Sequence, residues 1–264
     1  MIFEYMEAES TQQEMKELYK AGEARLFDAV TALCQTAGRG RSGRSFYSPE
    51  GGLYLSMLLP YDETGVMTRG AGACAVKAIA KTTGKDLRIK PVNDLYMDGR
   101  KIAGILAEAV TDDDSIPIAV ILGIGINLVT PEGGFPEEIK NRAGALYESA
   151  SEIGWIGGTR SVLYQDDELS ELLLAGLRSQ LMYALIKEFG RLADPSESGK
   201  LLEEYERLLL SDWPGKGEED EYGNPLEPAE EDRGASEAEI NEGIVAAAEH
   251  VDTAEDEQGQ VPEV

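Results

Sequence analysis

Four short apolar segments follow one another between residues 87 and 128: LRIK (87–90), DLYM (94–97), KIAGILAEA (101–109) and IAVILGIGINL (118–128). Polar residues typical of turns separate them, and Asp98-Gly99, between the second and third segments, is a common two-residue hairpin sequence. This pattern predicts consecutive short strands that pair antiparallel in a sheet.

Apolar spacing outside this stretch predicts helices and further strands. Residues 11–22 are typical of a helix, with Thr11 and Glu14 in capping-box spacing and Gly22 as the stop. Further helices are predicted at 66–84, 135–149, 168–190 and 199–210, and further strands at 27–35 and 53–59. In the longest helix, one apolar stripe is formed by Leu173, Leu177, Leu181 and Leu185. The predicted fold class is α+β, with a mixed, mainly antiparallel sheet flanked by helices.

The composition argues against several classes of protein. The chain has 24 Lys and Arg against 50 Asp and Glu, a formal net charge of −26, which disfavours binding to nucleic acid or to an anionic membrane. The single histidine, His250, lies in the C-terminal stretch, so the main domain lacks the residue for His-dependent nucleophiles and His-ligated metals. Cys34 and Cys74 are too few for a disulfide scaffold, and we expect both to be buried in the core of a cytoplasmic protein. The sequence has no run of about 18 apolar residues, so no transmembrane helix is expected. Its first residues are acidic, whereas a signal peptide begins with basic residues followed by apolar ones.

Charge is unevenly distributed along the chain. Residues 211–264 contain 18 acidic residues against Lys216 and Arg233, and we expect this segment to be a disordered acidic tail behind a domain at 1–210. Residues 39–101 contain 11 basic residues against 6 acidic ones. This local excess of positive charge in an acidic chain predicts a small anionic ligand.

The most specific motif is GRGRSGR at residues 38–44. It also satisfies G-x-G-x-x-G, but Pro49, Gly51 and Gly52 follow where a dinucleotide-binding motif requires a helix. Three guanidinium groups on a glycine loop favour binding of phosphate or carboxylate. A flexible loop or an arginine–glycine segment that contacts nucleic acid is the competing interpretation.

Two further motifs are less specific. KPVND at 90–94, with Lys101 after it, places lysines and an aspartate around a short hairpin, although Asn-Asp and Asp-Gly are also ordinary turn residues. GIGIN at 123–127 puts glycines inside a strand, which indicates close approach of a ligand or a local bulge.

Taken in order, these motifs resemble the catalytic domain of biotin protein ligases, whose fold is related to class II aminoacyl-tRNA synthetases and lipoate ligases. The resemblance runs from about residue 9 to 210 and rests on Ser10-Thr11-Gln12, Gln35 before GRGRSGR, KPVND, GRKIAGILAEA and GIGIN. Gln12 and Pro91 stand where the family usually has Asn and Trp. The acidic tail takes the place of the family's small C-terminal β-barrel, and no N-terminal DNA-binding domain is expected.

The resemblance implies an ATP-dependent, AMP-forming biotin–[biotin carboxyl-carrier protein] ligase. Biotin would first be activated to biotinyl-AMP with release of pyrophosphate and then transferred to a lysine of a biotin carboxyl carrier domain. Magnesium is the implied cofactor, with Asp94 as its ligand. Neither a nucleic acid nor a membrane is an expected partner.

The resemblance also implies roles for particular residues. The implied catalytic residues are Lys101, Arg39 and Arg41. The implied biotin-binding residues are Ser10, Thr11, Gln12, Gln35, Arg39, Gly40, Arg41, Lys101, Gly104, Gly123 and Gly125. The implied ATP- and adenylate-binding residues are Arg41, Arg44, Phe46, Lys90, Asn93, Asp94 and Asn127.

Other functions remain open at the level of the sequence. A lipoate- or octanoate-protein ligase would use the same fold and differ in the acid that it activates. A biotin-binding or regulatory homologue with impaired catalysis is a second alternative, because Pro91 and the missing β-barrel alter the family pattern. A featureless acidic α+β domain with a flexible arginine loop is the third.

Overall fold

The computed structural model describes residues 1–62, 66–112, 114–153 and 167–211. The predicted acidic tail lies outside these residues apart from its first position, so it stays a prediction, as does the boundary at residue 210.

Seven strands and four α-helices make up the regular structure of the described residues. The strands are β1 (Ile2–Ala8), β2 (Ala29–Gln35), β3 (Gly52–Pro60), β4 (Arg88–Lys90), β5 (Asp94–Met97), β6 (Arg100–Thr111) and β7 (Pro117–Asn127). The helices are α1 (Thr11–Lys20), α2 (Val66–Thr83), α3 (Asp167–Phe189) and α4 (Ser198–Leu208).

The strands form one sheet in the order β1-β2-β3-β7-β6-β5-β4. Only the β1–β2 pair is parallel and all the other pairs are antiparallel, so the predicted mixed, mainly antiparallel sheet is confirmed. Asp98 and Gly99 have φ angles of 52° and 75°, as the predicted hairpin between β5 and β6 requires. The sequence reading missed β1, whose side chains are mostly exposed or half-buried at the sheet edge, so its apolar alternation is weak.

The two faces of the sheet carry separate hydrophobic cores. Alternating residues of β3 and β7 meet the small side chains of α2, together with α3 and α4, in the larger core. Met15 of α1 packs on the opposite face with Val30, Leu58 and Ile121. Because α1 covers only part of this second face, the rest is left for a site.

The long helix α3 is a core element. By length and composition alone, residues 168–193 are long and apolar enough to cross a membrane. Leu177, Leu181 and Leu185 of the predicted stripe are buried and Leu173 is half-buried, so the predicted amphipathic packing is confirmed. This pattern is typical of a helix that packs on a globular core.

The predicted helix at 135–149 and the predicted burial of Cys34 are both wrong. Residues 135–149 form turns instead of a helix, because their backbone bonds to the ends of β6 and β7: Gly144 N donates to the Lys101 carbonyl at 2.9 Å, and Leu146 N donates to the Asn127 carbonyl at 3.0 Å. Cys74 is fully buried as expected, but Cys34 is half-buried near the end of β2, next to the edge strand.

A buried carboxylate holds the helices together on the side of the larger core. Glu188, only 7% exposed at its side chain, lies 2.7 Å from Lys81, 3.1 Å from Lys77 and 3.2 Å from Arg191. Burial alone would raise the pKa of Glu188, but hydrogen bonds from Lys81 and Lys77 outweigh it and lower the pKa below its ordinary value. The ionised form is therefore the one that stabilises the fold.

We expect Glu188→Gln to lower the free energy of unfolding by about 2–4 kcal/mol, because it leaves three cations without their shared counter-ion. Since the pKa of Glu188 is lowered on folding, this stabilisation is present above the ordinary Glu pKa and is lost as pH falls through the lowered value. Urea unfolding at neutral and acid pH measures both effects. The control is Glu203→Gln, which removes an exposed pair with Arg207 and should change little; an equal loss in both variants would contradict the prediction.

Candidate active site

One cavity of about 260 Å³ opens on the face of the sheet that α1 covers in part. All seventeen residues singled out from the motifs line it: Ser10, Thr11, Gln12, Gln35, Arg39, Gly40, Arg41, Arg44, Phe46, Lys90, Asn93, Asp94, Lys101, Gly104, Gly123, Gly125 and Asn127. They come from positions far apart in the chain, which the pairing of β3, β6 and β7 brings together.

The start of α1 forms the most deeply buried wall. Ser10 is the N-cap of α1 but makes no side-chain cap bond, and Thr11 is already helical, so the predicted Thr11–Glu14 capping box is wrong. The Thr11 hydroxyl instead accepts from Ser56 at 2.8 Å and donates to Gln35 Oε1 at 3.2 Å. These bonds hold Thr11 and Gln35 together at one end of the cavity.

The amide of Gln12 has a defined orientation. Its Nε2 donates to the carbonyls of Leu106 and Ile121 at 3.4 and 3.3 Å. Its Oε1 is buried and has no hydrogen-bond partner among the described residues. Since Gln12 lines the cavity, this oxygen is a ready acceptor for an N–H group of a ligand.

The glycine–arginine loop closes on itself. Phe46 N donates to the Gly38 carbonyl at 2.8 Å, Gly40 N donates to the Arg44 carbonyl at 2.7 Å, and a 3₁₀ turn spans Arg41–Gly43. Gly38 has no room for a side chain, because a Cβ there would lie 2.4 Å from Ser48 Oγ and 2.5 Å from the Phe46 carbonyl oxygen. The loop is therefore an ordered wall in this structure, as its position between two strands predicts.

The arginines of the loop reach the rest of the site. Arg41 Nη1 donates to Asn93 Oδ1 at 3.1 Å, while Arg39 lies 3.8 Å from Glu9. Asn93 in turn donates from Nδ2 to the Ile105 carbonyl at 2.8 Å. The loop is thereby linked to the hairpin that carries KPVND.

Lys101 lines the cavity next to Gly104 of β6. Its Nζ lies 2.6 Å from Asp94 Oδ1 and 5.9 Å from the centre of the Phe46 ring. The Phe46 ring fills the space that the strand glycines leave open, since a Cβ at Gly125 would lie 2.5 Å from it and one at Gly104 would lie 3.3 Å away. The close approach predicted for the strand glycines is thus made here by a side chain of the same protein.

The cavity is strongly cationic. Its lining contains six basic residues, Arg39, Arg41, Arg44, Lys90, Lys101 and Arg142, and a single acidic one, Asp94. An anionic ligand is attracted to such a concave site, and forked guanidinium groups suit phosphate oxygens. In the described part of the chain, no group of three or more His, Cys, Asp or Glu residues is placed to hold a metal ion.

Sequence reasoning missed the segment that closes one end of the cavity. Phe135, Ile139, Arg142 and Ala143 line it, although this stretch was predicted as a helix. Gly144 was an available signal, because glycine is unfavourable in the interior of a helix. In the structure it allows close approach to β6, since a Cβ there would lie 2.8 Å from Arg100 Cβ.

A half-buried acid, Glu108, lies beside the site. Burial raises the pKa of Glu108 above its ordinary value. The charges of Arg39 and Lys16 and a hydrogen bond from Gln12 act in the opposite direction but do not outweigh it. Glu108 pairs with Ile121 in the sheet, next to the carbonyl that Gln12 contacts. Its ionised form therefore costs stability.

We expect Glu108→Gln to raise the thermal unfolding midpoint at neutral pH by about 2–4 °C. Because folding raises the pKa of Glu108, the wild type loses stability as pH rises through the raised value, whereas the variant does not. Below the ordinary Glu pKa the two midpoints should coincide. Glu4→Gln, at an exposed position of β1, is the control; a variant that is less stable at neutral pH would refute this account.

Comparison with known proteins identifies the domain. Residues 6–127 match the model of the Biotin/lipoate A/B protein ligase family. This part of the chain is a domain of that family. The resemblance inferred from the motifs is thereby confirmed.

The ligase domain has relatives among characterised proteins. The bifunctional ligase/repressor BirA of Bacillus subtilis is 38% identical over 128 residues, which are 47% of this chain and 39% of that protein. BirA of Escherichia coli is 32% identical over 170 residues, 62% of this chain and 49% of that protein. The matched part therefore spans less than half the length of either relative.

A solved structure shares the fold of the ligase domain. The biotin protein ligase from Aquifex aeolicus in complex with biotin and ATP is 29% identical, with a TM-score of 0.53, over 76% of each chain. The predicted fold class, that of biotin protein ligase catalytic domains, is thereby confirmed.

Proposed function

We propose that this protein is an ATP-dependent biotin–protein ligase that acts on a lysine of a biotin carboxyl carrier domain. The observation that carries the proposal is that one cavity is lined by all seventeen motif residues, and that its described lining has six basic residues against one acidic one. The Aquifex relative, solved with biotin and ATP, supports this choice of substrates.

The chemistry consists of two displacements. In the first, an oxygen of the biotin carboxylate attacks the α-phosphorus of ATP, the bond from that phosphorus to the bridging oxygen breaks, and pyrophosphate leaves with the electron pair. In the second, the lysine amine of the carrier attacks the carbonyl of biotinyl-AMP, AMP leaves, and the nitrogen loses a proton. Neither step requires a covalent enzyme intermediate, which agrees with a site that has no histidine or cysteine.

Charge stabilisation is the main task of the protein in the first step. Lys101 would contact both the carboxylate and the α-phosphate once it leaves Asp94, and Arg39 and Arg41 would close over the same atoms. Cations held in a site that excludes water stabilise the extra negative charge on the transferring phosphoryl group.

The buried end of the cavity would hold biotin. Ser10, Thr11, Gln12 and Gln35 present hydrogen-bonding groups there, and the Gln12 oxygen suits an N–H of the ureido ring. Gly40, Gly104, Gly123 and Gly125 leave room for the ring and its chain. Because Phe46 lies over Gly104 and Gly125 in this structure, we propose that its ring shifts onto adenine when the substrates bind.

The other end would hold the nucleotide. Arg44, Lys90, Asn93, Asp94 and Asn127, which line the cavity, are the residues proposed to bind it. Asn127 uses its amide nitrogen on the Gly144 carbonyl, so its side-chain oxygen is left for a ligand or a bound water. Asn93 uses both ends of its amide within the protein, on the Ile105 carbonyl and on Arg41, and would act by holding that arginine in place. Both asparagines would therefore hold the cavity wall in place as well as contribute to nucleotide binding.

Magnesium would enter with the nucleotide. Among the described residues, Asp94 is the only carboxylate that lines the cavity, and a single carboxylate together with substrate phosphates is a common way to bind Mg²⁺. The cavity lining could therefore supply one protein ligand to the ion, the Asp94 carboxylate. When bound, magnesium would neutralise part of the phosphate charge.

The proposal extends to the organisation and setting of the protein. Residues 1–210 would be the catalytic unit, and the acidic tail at 211–264 would not contribute to activation of biotin. A carrier protein in the cytoplasm is the expected partner, with no role for nucleic acid or a membrane.

Exchange of labelled pyrophosphate into ATP tests the first step. We expect exchange that depends on biotin and is not supported by lipoate or octanoate. A mass increase of one biotinyl group on a purified carrier domain tests the second step separately. Exchange with lipoate but not biotin, or none from folded protein, would refute the proposal.

A further inference from the structure

A short segment of backbone is tied directly to Lys101. Lys101 N donates to the Arg142 carbonyl at 2.7 Å, and Gly144 N donates to the Lys101 carbonyl at 2.9 Å. Arg100 Nη1 donates to the carbonyls of Lys140 and Ala143 at 3.0 and 3.3 Å. The backbone of Arg142 is therefore positioned by the same residue that holds the central ammonium group of the cavity.

The Asn127 side chain adds another restraint on this segment. Its Nδ2 donates to the Gly144 carbonyl at 2.8 Å. The segment is thus bonded to the end of β7 as well as to the start of β6. These bonds give Arg142 a defined place although it lies in irregular structure.

The side chain of Arg142 is available for a ligand. It lines the cavity and is exposed, and among the described residues its guanidinium forms no ion pair or hydrogen bond. Lys101, in contrast, is paired with Asp94, and Arg41 donates to Asn93. Arg142 can therefore offer its donors without first breaking an ion pair.

We propose that Arg142 binds the β- and γ-phosphates of the nucleotide, the part that leaves as pyrophosphate. This inference rests on the proposed function. The half-buried Lys101 is assigned to the carboxylate and α-phosphate, and the exposed Arg142 beside it lies towards solvent, where a leaving group can depart. A guanidinium fork matches two phosphate oxygens and stabilises the negative charge that gathers on pyrophosphate as the bond breaks.

Calorimetric binding of ATP and AMP to the full chain tests this role. Arg142→Ala should weaken ATP binding by about tenfold to a hundredfold and leave AMP binding within about twofold, because AMP lacks the terminal phosphates. Arg142→Lys should keep part of the ATP affinity, since it retains the charge without the fork.

Lys140→Ala is the matched control. It removes one positive charge from the same segment, but Lys140 pairs with Glu137 and does not line the cavity. Equal losses for ATP and AMP in Arg142→Ala, an equal ATP loss in Lys140→Ala, or a wild type that binds ATP no better than AMP would each overturn the inference. A wild type without biotin-dependent exchange would refute the proposed function, while the ratio of ATP to AMP affinity would still decide the role of Arg142.

Discussion

Replacing Lys101 by alanine should lower the rate of biotin-dependent pyrophosphate exchange by about a hundredfold to a thousandfold. This is the range for removing one preorganised charged or hydrogen-bonding group aimed at developing charge. Lys101 Nζ is held in the cavity between Asp94 and the Phe46 ring, in partial shelter from water, where its charge acts on a substrate with little screening. The measurement is the exchange rate at saturating biotin and ATP.

Loss of the lysine also leaves the Asp94 carboxylate without its counter-ion, and a second variant separates the two effects. Lys101→Ala combined with Asp94→Asn removes both charges. Because Asp94 is itself assigned to the nucleotide and its metal, Asp94→Asn alone measures what loss of this carboxylate costs. If the unpaired carboxylate causes the loss in Lys101→Ala, the double variant should recover to the level of Asp94→Asn; if the missing cation causes it, as we expect, the double variant stays far below Asp94→Asn. Lys85→Ala is the control, because Lys85 lies over the Tyr147 ring and does not line the cavity. Wild-type exchange by Lys101→Ala would rule out the assigned role.

Replacing Gly38 by alanine should reduce exchange by more than about a hundredfold, because misplacement of substrate-positioning groups by about 1 Å has effects of this size. The added Cβ would meet Ser48 Oγ at 2.4 Å and the Phe46 carbonyl at 2.5 Å, and the second contact is backbone that cannot rotate away. Relief requires breaking the bond from Phe46 N to the Gly38 carbonyl, which closes the loop that carries Arg39 and Arg41. We also expect a loss of about 1–3 kcal/mol of stability, as for overpacking elsewhere.

Gly43→Ala provides a control within the same loop. Gly43 has a φ of 70°, so alanine is strained there, but a Cβ would have nothing within 4 Å. The strain costs about 1–2 kcal/mol and should leave most of the exchange rate intact. A comparable loss of exchange in both variants would show that any backbone change in the loop is harmful. It would contradict the prediction that steric contact at Gly38 causes the loss. Thermal unfolding of each variant verifies that the protein is folded.

Much of the candidate site was predictable because its chemistry is local in the sequence. Three local patterns each predict a binding function from neighbouring residues alone. They are guanidinium groups on a glycine loop, lysines around a hairpin and glycines within a strand. The structure places all of these residues on one cavity. Their roles in binding and catalysis are the subject of the experiments above.

The errors arose where long-range contacts override local preference. Residues 135–149 have helical spacing, yet bonds to Lys101 and Asn127, far away in the sequence, hold them in turns. Thr11 has the spacing of a capping residue, yet its hydroxyl bonds to Ser56 and Gln35. No window of neighbouring residues contains these partners.

By itself, the amino-acid sequence determined the class of the fold, the order along the chain of six of the seven strands, and the set of charged residues and glycines available for a site. These follow from side-chain periodicity, turn chemistry and charge, which act over a few residues. Only the tertiary structure decided the partial burial of Glu108, the orientation of the Gln12 amide and the place of Arg142 beside Lys101. These depend on which strands pair and in which register, since pairing brings together groups that are distant in the chain and sets their solvation.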